Sequence, residues 1–133
     1  MIKVETLGML DIAKINPVLK SEEDVKNYSF LTADGILYLI SNTVVGDDAY
    51  LKDVVIPAGD FLNGYQVDAW VGQKLVIDGK HIEGGVAALS VGDTLVVAED
   101  GTLKAGSAAG VHFVITDKTT LTEAAVKARV AVA

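Results

Sequence analysis

The chain has 133 residues, half of them hydrophobic, and a net charge of −7 with Arg129 as its only arginine. That length fits one compact domain or two small modules, and the apolar content supports a packed core rather than a disordered chain. The acidity argues against nucleic acid as a partner, because phosphate binding needs a basic surface; the lack of cysteine excludes disulfides, thiolate catalysis and zinc–thiolate sites.

The start, Met1-Ile2-Lys3-Val4-Glu5-Thr6-Leu7, carries an early acid and lacks the basic opening and long apolar middle of a signal peptide. No apolar run reaches the roughly 20 residues that a membrane-spanning helix needs. Synthesis in the cytoplasm and no membrane partner are therefore expected. Ser21-Glu22-Glu23-Asp24 matches a capping box, with Ser21 and Asp24 able to satisfy free N–H groups and the acids suited to the positive end of a helix dipole. With Pro17 upstream, this predicts a short surface helix over Glu22–Tyr28.

Turn signals follow at short intervals. Asp34-Gly35 lies between Ser29-Phe30-Leu31-Thr32 and Ile36-Leu37-Tyr38-Leu39-Ile40. Asp78-Gly79 lies between Lys74-Leu75-Val76-Ile77 and Lys80-His81-Ile82, and Asp100-Gly101 between Thr94-Leu95-Val96-Val97-Ala98 and Thr102-Leu103-Lys104. Such pairs tolerate the positive φ of tight hairpin turns, so three hairpins are predicted, with Asn63-Gly64 as a fourth turn signal. Ala58-Gly59-Asp60-Phe61-Leu62 echoes Val91-Gly92-Asp93-Thr94-Leu95; both read as a turn feeding a strand, and shared turn chemistry explains them better than duplication. At the C-terminal end, Thr122–Lys127 offers a helix start with Glu123 and Lys127 at i and i+4. However, Val126, Ala128, Val130 and Val132 alternate with Lys127, Arg129 and Ala131, and period two with β-branched residues favours a half-buried strand over Val126–Val132.

The expected fold is mainly β: a small antiparallel β-barrel or sandwich built from hairpins, with one short helix. Glu83-Gly84-Gly85 is the best candidate joint. It divides a β-rich N-terminal module for partner binding or oligomerisation (residues 1–82) from a simpler C-terminal β module (86–133) rich in Val, Ala, Gly and Thr, unless the two form one continuous domain.

Residues that titrate or attack are sparse. His81 follows a predicted hairpin turn and should face solvent, while His112 sits in Val111-His112-Phe113-Val114-Ile115 and should alternate with core residues. Neither has an evident carboxylate partner and second converging group. Asp47-Asp48 and Glu22-Glu23-Asp24 lack the D-x-D-x-D-G-x5-E spacing of a calcium loop and read as solvated acids. Gly106-Ser107-Ala108-Ala109-Gly110 lacks the Gly-Lys-Ser/Thr ending of a P-loop, and Gly110 leads into a strand; its small residues suit close packing or a flexible loop. No G-x-S-x-G occurs. Hence no catalytic residue, no cofactor and no metal site is expected, and the chain is read as a non-enzyme.

The aromatics are the sharpest positive feature. Tyr50, Phe61, Tyr65 and Trp70 fall close together in a stretch broken by turns. Strand alternation through Gly64–Val71 would put Tyr65, Val67, Ala69 and Val71 on one face and Trp70 with Gln66 and Asp68 on the other. An aromatic on a polar face suits a partner anchor; the competing reading has Trp70 plugging the end of a small core. These four residues are the candidate partner-binding set.

The run Val91-Gly92-Asp93-Thr94-Leu95-Val96-Val97-Ala98-Glu99-Asp100-Gly101-Thr102-Leu103-Lys104, followed by Ala109-Gly110-Val111 and the closing Ala125-Val126-Lys127-Ala128-Arg129-Val130, resembles small head-decoration proteins of tailed bacteriophages, also called capsid cement, auxiliary or head-fibre proteins. The resemblance covers the last third of the chain and rests on turn and strand pattern. It implies no enzymatic activity, cofactor or genome contact. It implies a virion structural protein on the outer capsid surface, made in the host cytoplasm and binding the major capsid protein, often as a homotrimer. Two other readings stay open: another virion subunit such as a tail-tube or head–tail connector protein, and a small non-enzymatic ligand-binding β domain.

Overall fold

Apolar residues at alternate positions govern where this chain forms strands, and one run that is apolar throughout, Ile36–Ile40, marks where a strand is covered on both sides. The computed structural model describes residues 2–4, 14–42, 55–119 and 124–133. Its strands are β1 (Ile2–Val4), β2 (Ile15–Leu19), β3 (Val25–Lys26), β4 (Phe30–Ala33), β5 (Ile36–Ile40), β6 (Val55–Ile56), β7 (Leu62–Gln66), β8 (Lys74–Asp78), β9 (Thr94–Val97), β10 (Leu103–Ala105), β11 (Val111–Thr119) and β12 (Ala125–Val132).

They form three sheets with antiparallel pairing: a main sheet in the order β1-β8-β12-β11-β9-β10, a second in the order β2-β7-β5-β4, and a two-stranded third, β3-β6. The fold is mainly β, a sandwich and not a closed barrel. Leu75, Ile77, Phe113, Ile115, Val126 and Val130 project from the main sheet onto Phe30 and Leu39 of the second. The Phe30 and Phe113 rings lie 5.3 Å apart, a tilted pair at the centre of this core. Tyr38, Ile40 and Leu62 point out of the other face of the second sheet, where Val25 and Ile56 of the third cover them. Strand β5 is thus sandwiched, which explains its unbroken Ile-Leu-Tyr-Leu-Ile sequence. The layers stack as main sheet, second sheet, third sheet.

The Asp34-Gly35 and Asp100-Gly101 hairpins are present. Asp34 and Gly35 take φ of 52° and 78° between Ala33 and its partner Ile36, the left-handed pair a two-residue hairpin demands. Gly101 takes φ of 87° at the end of the β9–β10 turn, and its carbonyl accepts the Phe30 N–H at 2.9 Å, stitching the two main layers together. The echo also holds as turn chemistry. Asp60 N–H donates to the Pro57 carbonyl and Asp93 N–H to the Ser90 carbonyl, with Gly59 and Gly92 at positive φ, and each turn feeds a strand. The C-terminal strand forms as β12, with Val126, Ala128 and Val130 inward.

Three expectations are corrected. Asp78-Gly79 is not a hairpin: β8 pairs with β1 on one side and β12 on the other, and Gly79–His81 forms a 3-10 turn. Gly79 is needed for space, since a Cβ there would meet Val86 Cγ2 at 2.9 Å and the Ala124 carbonyl oxygen at 3.2 Å. Asn63-Gly64 is not a turn but the middle of β7, where a Cβ on Gly64 would run into Leu19 Cδ1 and the Tyr38 ring. The helix over Glu22–Tyr28 is absent. Ser21 Oγ accepts the Glu23 N–H at 3.1 Å and Asp24 Oδ1 accepts the distant Ala58 N–H at 2.9 Å, so the capping side chains close turns instead. Val25–Lys26 pairs with β6, and Tyr28 at φ 61° ends any helical path. The helical content described is the two 3-10 turns, Val67–Trp70 and Gly79–His81.

Gly84 and Gly85 both take positive φ in the turn after Ile82. The main sheet draws β1 and β8 from before this joint and β9 to β12 from after it. Beyond the glycines, Val86 and Leu89 return to the core, and the Lys118 ammonium holds that segment by donating to the carbonyls of Ala87 (3.1 Å) and Leu89 (2.7 Å).

Candidate functional site

Strand geometry disperses the titratable side chains. His112 is buried on β11, its Nδ1 2.9 Å from the Gly110 carbonyl oxygen, and His81 is half-buried with its ring 5.9 Å from that of Tyr28. His81 therefore packs against an aromatic instead of facing open solvent. No group of three or more His, Asp or Glu among the described residues could hold a metal. Asp47, Asp48 and the candidate Tyr50 lie outside the described residues.

The other three candidate aromatics have different surroundings. The chain does not continue as a strand past Gln66 but tightens into the 3-10 turn Val67–Trp70, which ends the alternation that would have put Trp70 beside Gln66 and Asp68. Trp70 swings inward, becomes fully buried and stacks on Tyr65 with centroids 5.8 Å apart and planes at 26°. Of its two readings, the core plug describes its position. Its Nε1–H has no hydrogen-bond partner among the described residues, a burial that costs about 1–3 kcal/mol. Tyr65 is half-buried against the same core.

Phe61 alone of the three is displayed, with 58% of its surface exposed. Lys20, just past β2, lies over its ring, Nζ 4.4 Å from the centroid, and Val18 of β2, the outermost strand of the second sheet among the described residues, is 65% exposed. An asparagine network fixes this corner. Asn42 accepts the Asn63 N–H at 2.7 Å and donates through Nδ2 to the Phe61 carbonyl at 3.0 Å. Its own N–H donates to Asn27 Oδ1 at 2.8 Å. These bonds hold the backbone of Phe61 and leave its ring outside. Asp60 directly precedes Phe61 in the chain. The Gly59 N–H donates to the Ser21 carbonyl at 3.0 Å, which clasps the Ser21–Asp24 turn to the turn preceding Phe61 and leaves Glu22, Glu23 and Asp60 exposed.

The opposite side of the molecule differs in charge. On the outer face of the main sheet, Arg129 sits directly across from Lys74, and Lys127 lies between Val76 and Asp117. Asp117 Oδ2 is 3.5 Å from Lys74 Nζ. The Thr116 hydroxyl donating to it, with the nearby Lys74 and Lys127 charges, holds the Asp117 carboxyl below the usual aspartate range. Among the described residues, these three cations with Asp117 among them and Asp78 at the margin make a locally basic face on an acidic chain. Sequence alternation already put Lys127 and Arg129 outward; their register with Lys74 was hidden because β8 read as half of a hairpin.

Two depressions lie among the described residues. One of about 270 Å³ lies along Val76, Asp117, Thr119 and Lys127. The other, about 610 Å³ and open, lies between the β4–β5 hairpin and the segment Ser107–Val111, with Asp68 the one charged side chain in its wall. Few converging polar groups line it, unlike a site that orients a small substrate. No helix among the described residues is long and apolar enough to cross a membrane. No known protein family, curated protein or solved structure matches the chain.

Proposed function

We propose that this chain is a structural virion protein that decorates and stabilises the outside of a tailed-phage capsid, binding the major capsid protein and associating with itself, as a homotrimer in the form the resemblance implies. The observation that carries the reading is the Phe61 corner: an exposed aromatic with the Lys20 ammonium over its ring, its backbone held by Asn42 so that little freedom is lost when a partner covers it. The resemblance of residues 91–130 to decoration proteins adds support. So does the charge, because an acidic protein facing packaged DNA would be repelled while one on the outer surface would not. A rigid three-layer sandwich also suits a part whose task is to add buried area across joints between shell subunits. Repetition over the lattice then converts modest affinity per copy into firm attachment.

The test compares shells carrying the protein with shells lacking it under heat or chelator challenge. Greater survival of the decorated shells is expected. Equal survival would leave surface display as the role, and finding the protein within the shell or in the tail would reject the placement.

A further inference from the structure

Asn63-Gly64, a turn signal in the sequence, sits in the middle of β7. Of the asparagines in the chain, Asn16, Asn27, Asn42 and Asn63, the last alone is followed by glycine. Such a pair is the most prone to cyclise, because glycine puts no side chain before the attacking backbone nitrogen and lets the backbone turn freely. Pro17 has no N–H for Asn16 to use, and Asn27 and Asn42 are followed by the bulkier Tyr28 and Thr43. The fold requires both members of the pair. A Cβ at position 64 would run into Leu19 Cδ1 and the Tyr38 ring, so packing demands glycine there. Asn63 Nδ2 donates to the Ser41 carbonyl at 3.2 Å, and its backbone N–H donates to Asn42 Oδ1 at 2.7 Å.

We propose that Asn63 is a fold-gated modification site, which deamidates spontaneously when β7 leaves its neighbours and stays intact while β7 is paired. In the reaction the Gly64 backbone nitrogen bonds to Asn63 Cγ. The side-chain nitrogen leaves as ammonia, taking the proton that Gly64 gives up, and a succinimide ring remains. Water then adds at one of the two ring carbonyls and opens the ring to aspartate or isoaspartate, so water is the co-reactant. The folded strand holds the two reacting groups by opposite neighbours. The Asn63 amide is tied to Ser41, just past β5. The Gln66 N–H donates to the Lys14 carbonyl at 2.8 Å, and ladder alternation from that bond turns the Gly64 N–H towards its register partner Asn16 in β2. Gly64 is also buried, in a strand flanked on both sides. Ring closure must therefore wait for β7 to come loose. The product cannot rebuild the corner. A carboxylate at position 63 would face the Ser41 carbonyl, acceptor against acceptor, and isoaspartate adds a carbon to the main chain of β7. Asn42, which joins the Asn63 N–H to the Phe61 carbonyl, then loses its seat. Opening is thus recorded in one direction, and a converted chain no longer fixes the backbone of Phe61. The gating involves no partner and stands apart from the shell reading.

Peptide mapping by mass spectrometry tests this on the full chain, incubated at mildly alkaline pH in buffer and in concentrated guanidinium chloride. In the denaturant Asn63 should gain the mass of an amide-to-carboxyl exchange, while Asn16, Asn27 and Asn42 stay unchanged over the same period. In buffer the conversion should be slower by about tenfold or more, because it tracks the fraction of chains in which the strand is open. This comparison uses the wild type alone. Asn42→Ala, which removes the acceptor of the Asn63 N–H, should speed conversion in buffer several-fold and leave the rate in denaturant as it was, with circular dichroism confirming that it folds. Asn63→Asp, made directly, should melt below the wild type. Equal wild-type rates in buffer and denaturant would overturn the proposal, as would conversion in denaturant at another asparagine ahead of Asn63. So would a folded Asn42→Ala chain that converts in buffer no faster than the wild type, or an Asn63→Asp chain that melts with it.

Discussion

Strand β7 has an aromatic just beyond each end, and the molecule treats the two in opposite ways. Trp70, in the turn that follows, is driven inward beneath the main sheet, with Tyr65 stacked on it and its indole N–H without a partner among the described residues. Phe61, just before the strand, is held outside by an asparagine network that binds its backbone and leaves its ring uncovered. The difference teaches that aromatic density along a sequence does not locate a binding surface; what covers each ring does. Trp70 has the main sheet above it, while Phe61 sits at an edge where the second sheet ends.

The comparison breaks most sharply at Trp70. Trp70→Ala should cost about 3–5 kcal/mol in chemical denaturation, because it empties a fully buried site. Trp70→Phe removes the unpartnered N–H as well as part of the ring, and should stay within about 1.5 kcal/mol of the wild type. A Trp70→Phe cost well above that would show that the indole N–H is hydrogen-bonded in solution. Gly64→Ala, midway along β7, should cost about 1–3 kcal/mol, since the new methyl meets the Tyr38 ring at 3.0 Å and only the Leu19 side chain can swing aside. Phe61→Ala should leave folding stability within about 0.5 kcal/mol, the reverse of Trp70→Ala under the same denaturation experiment.

The smallest effect concerns pH. The Thr102 hydroxyl and backbone N–H both donate to Asp100 Oδ1, at 2.6 and 3.0 Å, and hold that carboxyl below the usual aspartate range. A lowered folded-state pKa means its contribution is present above the ordinary aspartate value and is lost as pH falls through the lowered one. Asp100→Asn should therefore narrow the fall in melting temperature between about pH 5 and about pH 2. An unchanged acid limb would show that the turn bonds contribute nothing measurable at this exposed site.

Much of this architecture was legible locally, and what was not depended on distant partners. The Asp34-Gly35 turn, the doubly covered run Ile36–Ile40 and the alternation of Val126–Val132 each carry their own signal within a few residues. Asp78-Gly79 carries the same dipeptide as the true hairpins, yet β8 finds its neighbours at the two ends of the chain, β1 and β12, and the glycine serves packing against Val86. Gly64 misled for the same reason. The capping box at Ser21 named the right side chains but the wrong recipients, because Asp24 bonds a residue 34 positions away. At the candidate surface, Phe61 was identified and Trp70 was placed in two alternative ways. Asn27, Asn42 and Asn63 were missed, since side chains that bond across 15 and 21 positions leave no local pattern.

The central claim is that this protein acts by presenting the Phe61 corner to a shell. Co-sedimentation with purified empty heads, comparing wild type with Phe61→Ala and Val18→Ser, tests it most directly. The wild type should bind the outside of the heads and saturate, and each substitution should weaken binding, by about 2 kcal/mol for Phe61→Ala, with folding stability retained. Wild-type protein that does not bind heads, or a Phe61→Ala variant that binds them as well as the wild type, would contradict the account.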